Sequence, residues 1–128
     1  MLRASSPTQR RGRVIENLAR EYLLDQGLSL VQPNFNCRFG EIDLIMSDPT
    51  GIPAPQLVFI EVRFRRSFGH GGPAASVDHR KQRKLRRCAS LYLQGDHGQS
   101  FPCARFDVIA VTGMINTPRF DWIQSAFE

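Results

Sequence analysis

Between Thr8 and Gln26 the apolar residues Val14, Ile15, Leu18, Ala19, Tyr22 and Leu23 recur at intervals of three and four. That spacing gathers them on one face of a helix, stopped by Gly27. Residues 1–7 read as a flexible basic arm, which leaves 8–128 as the folded domain. After Gly27 the period shortens. Residues 28–35 read as a strand and Asn36 to Phe39 as a turn. Glu41 to Met46 and Leu57 to Phe64 read as two further strands, joined by Asp48-Pro49-Thr50-Gly51-Ile52-Pro53-Ala54-Pro55, a hairpin loop dense in turn residues. Ser67 to Pro73 is too rich in glycine for regular structure. A helical period resumes from Val77 to Leu93, a strand follows at Phe106 to Val111, and a short edge strand or last turn near Phe120 to Ile123 closes the chain. A helix between Phe64 and Phe106 allows those two strands to be parallel neighbours. The fold class is therefore α/β: a single domain of order α-β-β-β-α-β, with a mixed central sheet flanked by helices.

Two of these strands carry acids inside apolar runs. In Gly40-Glu41-Ile42-Asp43-Leu44-Ile45-Met46, strand alternation puts Glu41 and Asp43 on one face and Ile42, Leu44 and Met46 on the other. In Leu57-Val58-Phe59-Ile60-Glu61-Val62-Arg63-Phe64, Glu61 and Arg63 repeat that pattern. An ionised carboxylate in apolar surroundings costs several kcal/mol unless it is paired or holds a cation. If these strands pair antiparallel, Asp43 and Glu61 come close enough to share one Mg²⁺ or Mn²⁺. Glu16, at the border of the first helix's apolar stripe, is a third acid that either looks into the cleft or stays solvated. Glu41 reads more as a strand-edge acid than as a ligand.

The charge points to acidic polymers as partners. Seventeen basic and twelve acidic side chains give a net charge of +5, and all the basic residues except Lys81 and Lys84 are arginine. Guanidinium groups match phosphate oxygens. On the second helix Arg80, Arg83, Lys84 and Arg87 cluster on one side as a nucleic-acid-binding face. Lys81 instead shares the face of Leu85, Cys88, Ala89 and Tyr92. It either approaches the carboxylates or extends past the core to water.

The order Glu16, then Gly40-Glu41-Ile42-Asp43-Leu44-Ile45, then Phe59-Ile60-Glu61-Val62-Arg63-Phe64-Arg65, then Lys81 with Leu85, Ala89 and Tyr92-Leu93, then Arg105-Phe106-Asp107-Val108-Ile109 resembles the YraN-like bacterial family. That family is assigned to the PD-(D/E)XK, or restriction-endonuclease-like, superfamily, which includes archaeal Holliday junction resolvases. The resemblance spans about residues 12 to 125. It implies a restriction-endonuclease-like fold and Mg²⁺-dependent cleavage of phosphodiesters, with Asp43 and Glu61 as metal ligands and Glu16 as the helix acid that resolvase-like members add. By analogy with such relatives it also implies a homodimer. Arg63 departs from the pattern, because the superfamily motif has lysine there. A guanidinium stays protonated, so it stabilises charge but is no general base. Lys81 supplying the amine, a metal ion activating water alone, and nucleic-acid binding without cleavage all remain open.

The rest of the chain narrows the picture. A length of 128 residues suits one core. Cys37, Cys88 and Cys103 form an odd set without zinc spacing, which reads as free thiols in a reducing compartment. No apolar run approaches a membrane span or a secretory signal, so the expected location is cytoplasmic. His70, His79 and His97 share no ligand spacing and read as surface residues. Asp107 beside Arg105 reads as a structural ion pair, and Phe120 and Trp122 as core cover.

Overall fold

In a computed structural model, described here for residues 6–65, 77–95 and 101–128, the elements run α1 (Pro7–Asp25), β1 (Ser29–Cys37), β2 (Gly40–Asp48), β3 (Gln56–Arg65), α2 (His79–Gln94), β4 (Cys103–Met114) and β5 (Thr117–Phe127). The five strands lie in the order β1-β2-β3-β4-β5. Only the β3–β4 pair is parallel, and α2 makes the crossover between them. This is the restriction-endonuclease-like arrangement. The glycine-rich segment with His70, the loop holding His97 and most of the basic arm lie outside the described residues.

Adjacent residues of β3 serve opposite faces. Val58 and Ile60 pack with Ile15, Ala19 and Leu23 of α1, while Leu57 and Phe59 pack with Leu85, Cys88, Ala89 and Tyr92 of α2. The helices therefore cover opposite faces, and the central strands are apolar on both.

Local chemistry moves several boundaries. Helix α1 starts earlier than Thr8, because Ser6 and Gln9 form a reciprocal capping box around Pro7 in the first turn. Asp78 caps α2 by accepting from the Lys81 N–H at 2.8 Å. Strand β1 extends to Cys37, so only Arg38 and Phe39 remain for the turn. The short edge element expected near Phe120 is a full eleven-residue strand, giving α-β-β-β-α-β-β. It returns from β4 through the two-residue turn Ile115-Asn116. Its polar content hides it, because an edge strand half open to water need not be apolar.

One correction bears on the site. Ile42 does not share a face with Leu44 and Met46: it packs in the α2-side core with Ile45, while Leu44 and Met46 pack on the α1 side. Simple alternation thus breaks between Ile42 and Leu44. At that point the β2–β3 ladder ends, with Leu44 opposite Ile60 as its last pair.

Candidate functional site

The end of that ladder leaves Asp43 just beyond the last β2–β3 pair. The next backbone donor of β3, the Val62 N–H, points at Asp43 Oδ2 and donates to it at 2.9 Å. Asp43 is thereby fixed where β2 and β3 part. From the α1 side, Glu16 reaches the same point, and one carboxylate oxygen from each of Glu16, Glu41 and Asp43 fits within a group no wider than 4.8 Å. Asn34 completes this wall: with its amide nitrogen toward the acids, it donates to Glu41 Oε1 at 2.8 Å and to Glu16 Oε2 at 2.9 Å. Its backbone is in the left-handed region, with φ of 50°, which asparagine tolerates better than most residues. Glu16, Glu41 and Asn34 line a cleft of about 410 Å³ with Gln9, Gly12, Arg13 and Asn36.

Glu61 arrives from β3 on the other side and is 5% exposed. Its Oε1 lies 3.7 Å from Arg63 Nη1 and 3.7 Å from Lys81 Nζ. Its Oε2 is buried and has no hydrogen-bond partner among the described residues. Lys81 extends from the first turn of α2 and keeps 41% of its side chain exposed, so it both approaches Glu61 and reaches water.

The three inner acids hold their protons more tightly than ordinary carboxyls. Burial pushes Glu61 up to about 7, and the Asp43 charge adds to it, despite the opposing charges of Lys81 and Arg63. Burial likewise pushes Asp43 to about 6, against the Val62 hydrogen bond that favours its ionised form. Glu16 rises to about 7 through burial and the charges of Asp43 and Glu41. Two cations beside Glu61 do not offset its desolvation, which is the electrostatic pattern of a site lacking positive charge.

The basic face of α2 lies elsewhere on the helix. Arg80, Arg83, Lys84 and Arg87 are all exposed. Arg87 also stands over the Phe39 ring at 5.5 Å, and Arg38 over the same ring at 4.9 Å. Asp107 belongs to a separate buried network. It takes the Arg105 Nε at 3.0 Å, the Trp122 Nε1 at 2.9 Å and the Ser125 N–H at 2.9 Å, while Arg105 Nη1 continues to Asp48 Oδ2 at 2.8 Å.

Residues 15–111 match the family described as Uncharacterised protein family UPF0102. The chain belongs to this family. A UPF0102 protein of Pseudomonas putida strain KT2440 is 45% identical over 130 residues, spanning 100% of this chain and 99% of its own length. Another, from Stutzerimonas stutzeri strain A1501, is 46% identical over 125 residues, spanning 96% and 98%. One from Psychromonas ingrahamii is 46% identical over 118 residues, spanning 92% and 89%. UPF0102 is the YraN-like family that the ordered motifs resemble. The matched segment contains Glu16, Asn34, Glu41, Asp43, Glu61, Arg63, Lys81 and the basic face of α2.

Sequence reasoning ranked Glu41 below the other acids and passed over Asn34. The available signal was the pair Asn34 and Asn36, two polar residues at strand spacing in β1. Asn36 is the direct partner of Glu41 in the β1–β2 ladder. No helix among the described residues is long and apolar enough to cross a membrane.

Proposed function

We propose that this protein is a metal-dependent nuclease acting on DNA, including branched or otherwise structured DNA, by assisted hydrolysis of a phosphodiester. The observation that carries this reading is the buried Glu61 Oε2 with no hydrogen-bond partner among the described residues, on a carboxyl that burial and the Asp43 charge hold protonated up to about pH 7. A buried anion left this way costs several kcal/mol, and a divalent cation removes the cost.

The donor set fits the cation. All the candidate ligands are hard oxygens, as Mg²⁺ and Mn²⁺ prefer. Oxygens on opposite sides of one Mg²⁺ stand about 4.2 Å apart, so acids grouped within 4.8 Å are near ligand spacing. Asp43, Glu16 and Glu41 are the acids at that spacing, and Glu61, whose carboxyl the Asp43 charge reaches, would join Asp43 in holding the ion. When bound, such an ion polarises a phosphoryl oxygen and lowers the pKa of a coordinated water.

The chain's own groups perform the remaining tasks. The Val62 N–H orients Asp43. Arg63 stabilises negative charge developing on the phosphate, because its guanidinium stays protonated. Lys81 brings its ammonium to within 3.7 Å of Glu61 Oε1 and supplies a second cation at the same point. Arg80, Arg83, Lys84 and Arg87 hold the phosphate backbone.

Arg63 also favours a second reading, a nucleic-acid-binding module that keeps the fold without cutting. A scaffold in which basic residues neutralise the site acids has less support: Arg105 is committed to Asp107 and Asp48, and the acids remain raised despite Arg63 and Lys81. Calorimetric titration of wild-type protein with Mg²⁺ and Mn²⁺ separates the two functional readings from the scaffold. The nuclease reading expects saturable binding that is lost in Asp43→Asn. Absence of heat with both ions would support the scaffold.

A further inference from the structure

Cys37 and Cys88 lie 51 positions apart in the chain, yet their sulfurs meet at 2.8 Å. Cys37 is the last residue of β1, half-buried at the mouth of the β1–β2 turn. Cys88 is buried on the inner face of α2. Their contact bridges the two parts of the fold that carry the acids of β2 and Lys81 of α2. Cys103 lies apart, its Sγ 3.7 Å from the Pro53 carbonyl oxygen.

We propose that Cys37 and Cys88 are a redox-active pair that closes to an intramolecular disulfide when a peroxide reaches Cys37. The two sulfurs already occupy one contact, and closure to about 2.05 Å requires little further approach. Their surroundings divide the roles. Burial pushes the Cys37 thiol up, but the Cys88 hydrogen bond, the backbone N–H groups of Phe39 and Gly40 and the Arg38 charge outweigh it and hold Cys37 below the ordinary thiol value. Burial, with the Cys37 contact, pushes Cys88 up to about 12. Cys37 is thus the attacking sulfur and Cys88 the resolving one.

The chemistry balances with hydrogen peroxide as oxidant. The Cys37 thiolate attacks one peroxide oxygen, the O–O bond breaks, and hydroxide leaves to take up the proton Cys37 had released. Cys37 is then a sulfenic acid. Cys88 Sγ attacks the Cys37 sulfur, the S–O bond breaks, and the departing hydroxide takes the Cys88 proton as water. Two thiols lose two electrons in all, and one peroxide becomes two waters. The disulfide ties α2 to the β1–β2 turn, and so tethers the element carrying Lys81 to the hairpin carrying Glu41 and Asp43.

The test uses the full, reduced chain treated with stoichiometric hydrogen peroxide, followed by thiol titration, intact mass and peptide mapping. The expected result is a fall from three titratable thiols to one, a mass loss of two hydrogens and a cross-linked Cys37–Cys88 peptide, all reversed by dithiothreitol. Cys103→Ser should leave the cross-link unchanged. Cys37→Ser should prevent it while leaving Cys88 reduced, and because Cys37 is half-buried this variant remains informative if Cys88→Ser fails to fold. Retention of all three thiols would overturn the proposal. So would oxidation of Cys37 to sulfinic acid without loss of two hydrogens, or a cross-link through Cys103.

Discussion

The Val62 N–H donates to Asp43 Oδ2 at 2.9 Å where the β2–β3 ladder stops. A side-chain carboxylate thus takes the place of the next backbone partner, satisfying the strand donor while holding one acid beside Glu16 and Glu41. Asparagine retains an acceptor oxygen at that position and removes the buried charge. Asp43→Asn is therefore expected to keep the fold, with a thermal midpoint in the absence of metal equal to or above wild type. It should lose divalent-ion binding. Circular dichroism melts paired with calorimetry check both halves.

Glu61 makes stability depend on pH. Its folded-state pKa is raised from 4.5 to about 7, so above pH 4.5 the folded protein holds a proton that the unfolded chain releases. The unfolded state therefore binds fewer protons, and stability falls as pH rises from about 4.5 to about 7, then levels. A shift of this size corresponds to at most about 3 kcal/mol. Glu61→Gln should recover up to that amount at pH 8 and nothing at pH 4. Mg²⁺ should stabilise wild type at pH 8 but not the variant. Urea unfolding at the two pH values, with and without Mg²⁺, measures this.

The exposed face of α2 predicts a salt dependence. Each phosphate contact releases counterions, so Arg80→Ala with Arg83→Ala should reduce the magnitude of the log–log salt slope on duplex DNA by about 1 to 2. Fluorescence anisotropy between 50 and 200 mM salt, roughly the range over which such contacts are felt, reads this directly. An unchanged slope would move the DNA surface elsewhere.

Arg63 and Lys81 flank one carboxylate oxygen, each at 3.7 Å. If both act on the same transition state, Arg63→Ala should slow cleavage by about 10²-fold or more. Arg63→Lys should retain or raise the rate. Lys81→Ala should be comparably damaging, with the double variant losing less than the product of the two effects. Single-turnover rates for wild type and the four variants decide it.

Asp107 should behave in the opposite way. It is fully buried and accepts from Arg105, Trp122 and Ser125. Asp107→Ala leaves Arg105 short of its main counter-charge and should cost about 3 kcal/mol or more. Divalent-ion affinity of the folded fraction should be unchanged, as calorimetry below the melting temperature would show.

Much of this molecule is legible in order along the chain, because each central strand and each helix carries its own hydrophobic period. The turn residues between β2 and β3 reinforce that reading. What stays hidden depends on geometry between elements. Ile42 obeys a local alternation in sequence, but the parting of β2 from β3 turns it to the other core. Strand β5 divides its apolar side chains, Phe120 and Trp122 toward the α1-side core and Phe127 toward the α2-side core, so that no single apolar run marks it. Glu41 and Asn34 join the acid group only because β1 and β2 pair in the observed register, and Cys37 meets Cys88 only once α2 docks on that hairpin. The acids of the cleft were visible for the converse reason: a carboxylate within an apolar strand conflicts with its surroundings, and such conflicts mark sites.

The most direct measurement is cleavage of labelled linear, flapped and four-way DNA by wild-type protein and Asp43→Asn, each with Mg²⁺ and with Mn²⁺. The account predicts metal-dependent product from at least one substrate with wild type and none with Asp43→Asn. Wild-type protein that binds these DNAs but cuts none with either ion, with Arg63→Lys equally inert, would contradict the nuclease and leave the binding module.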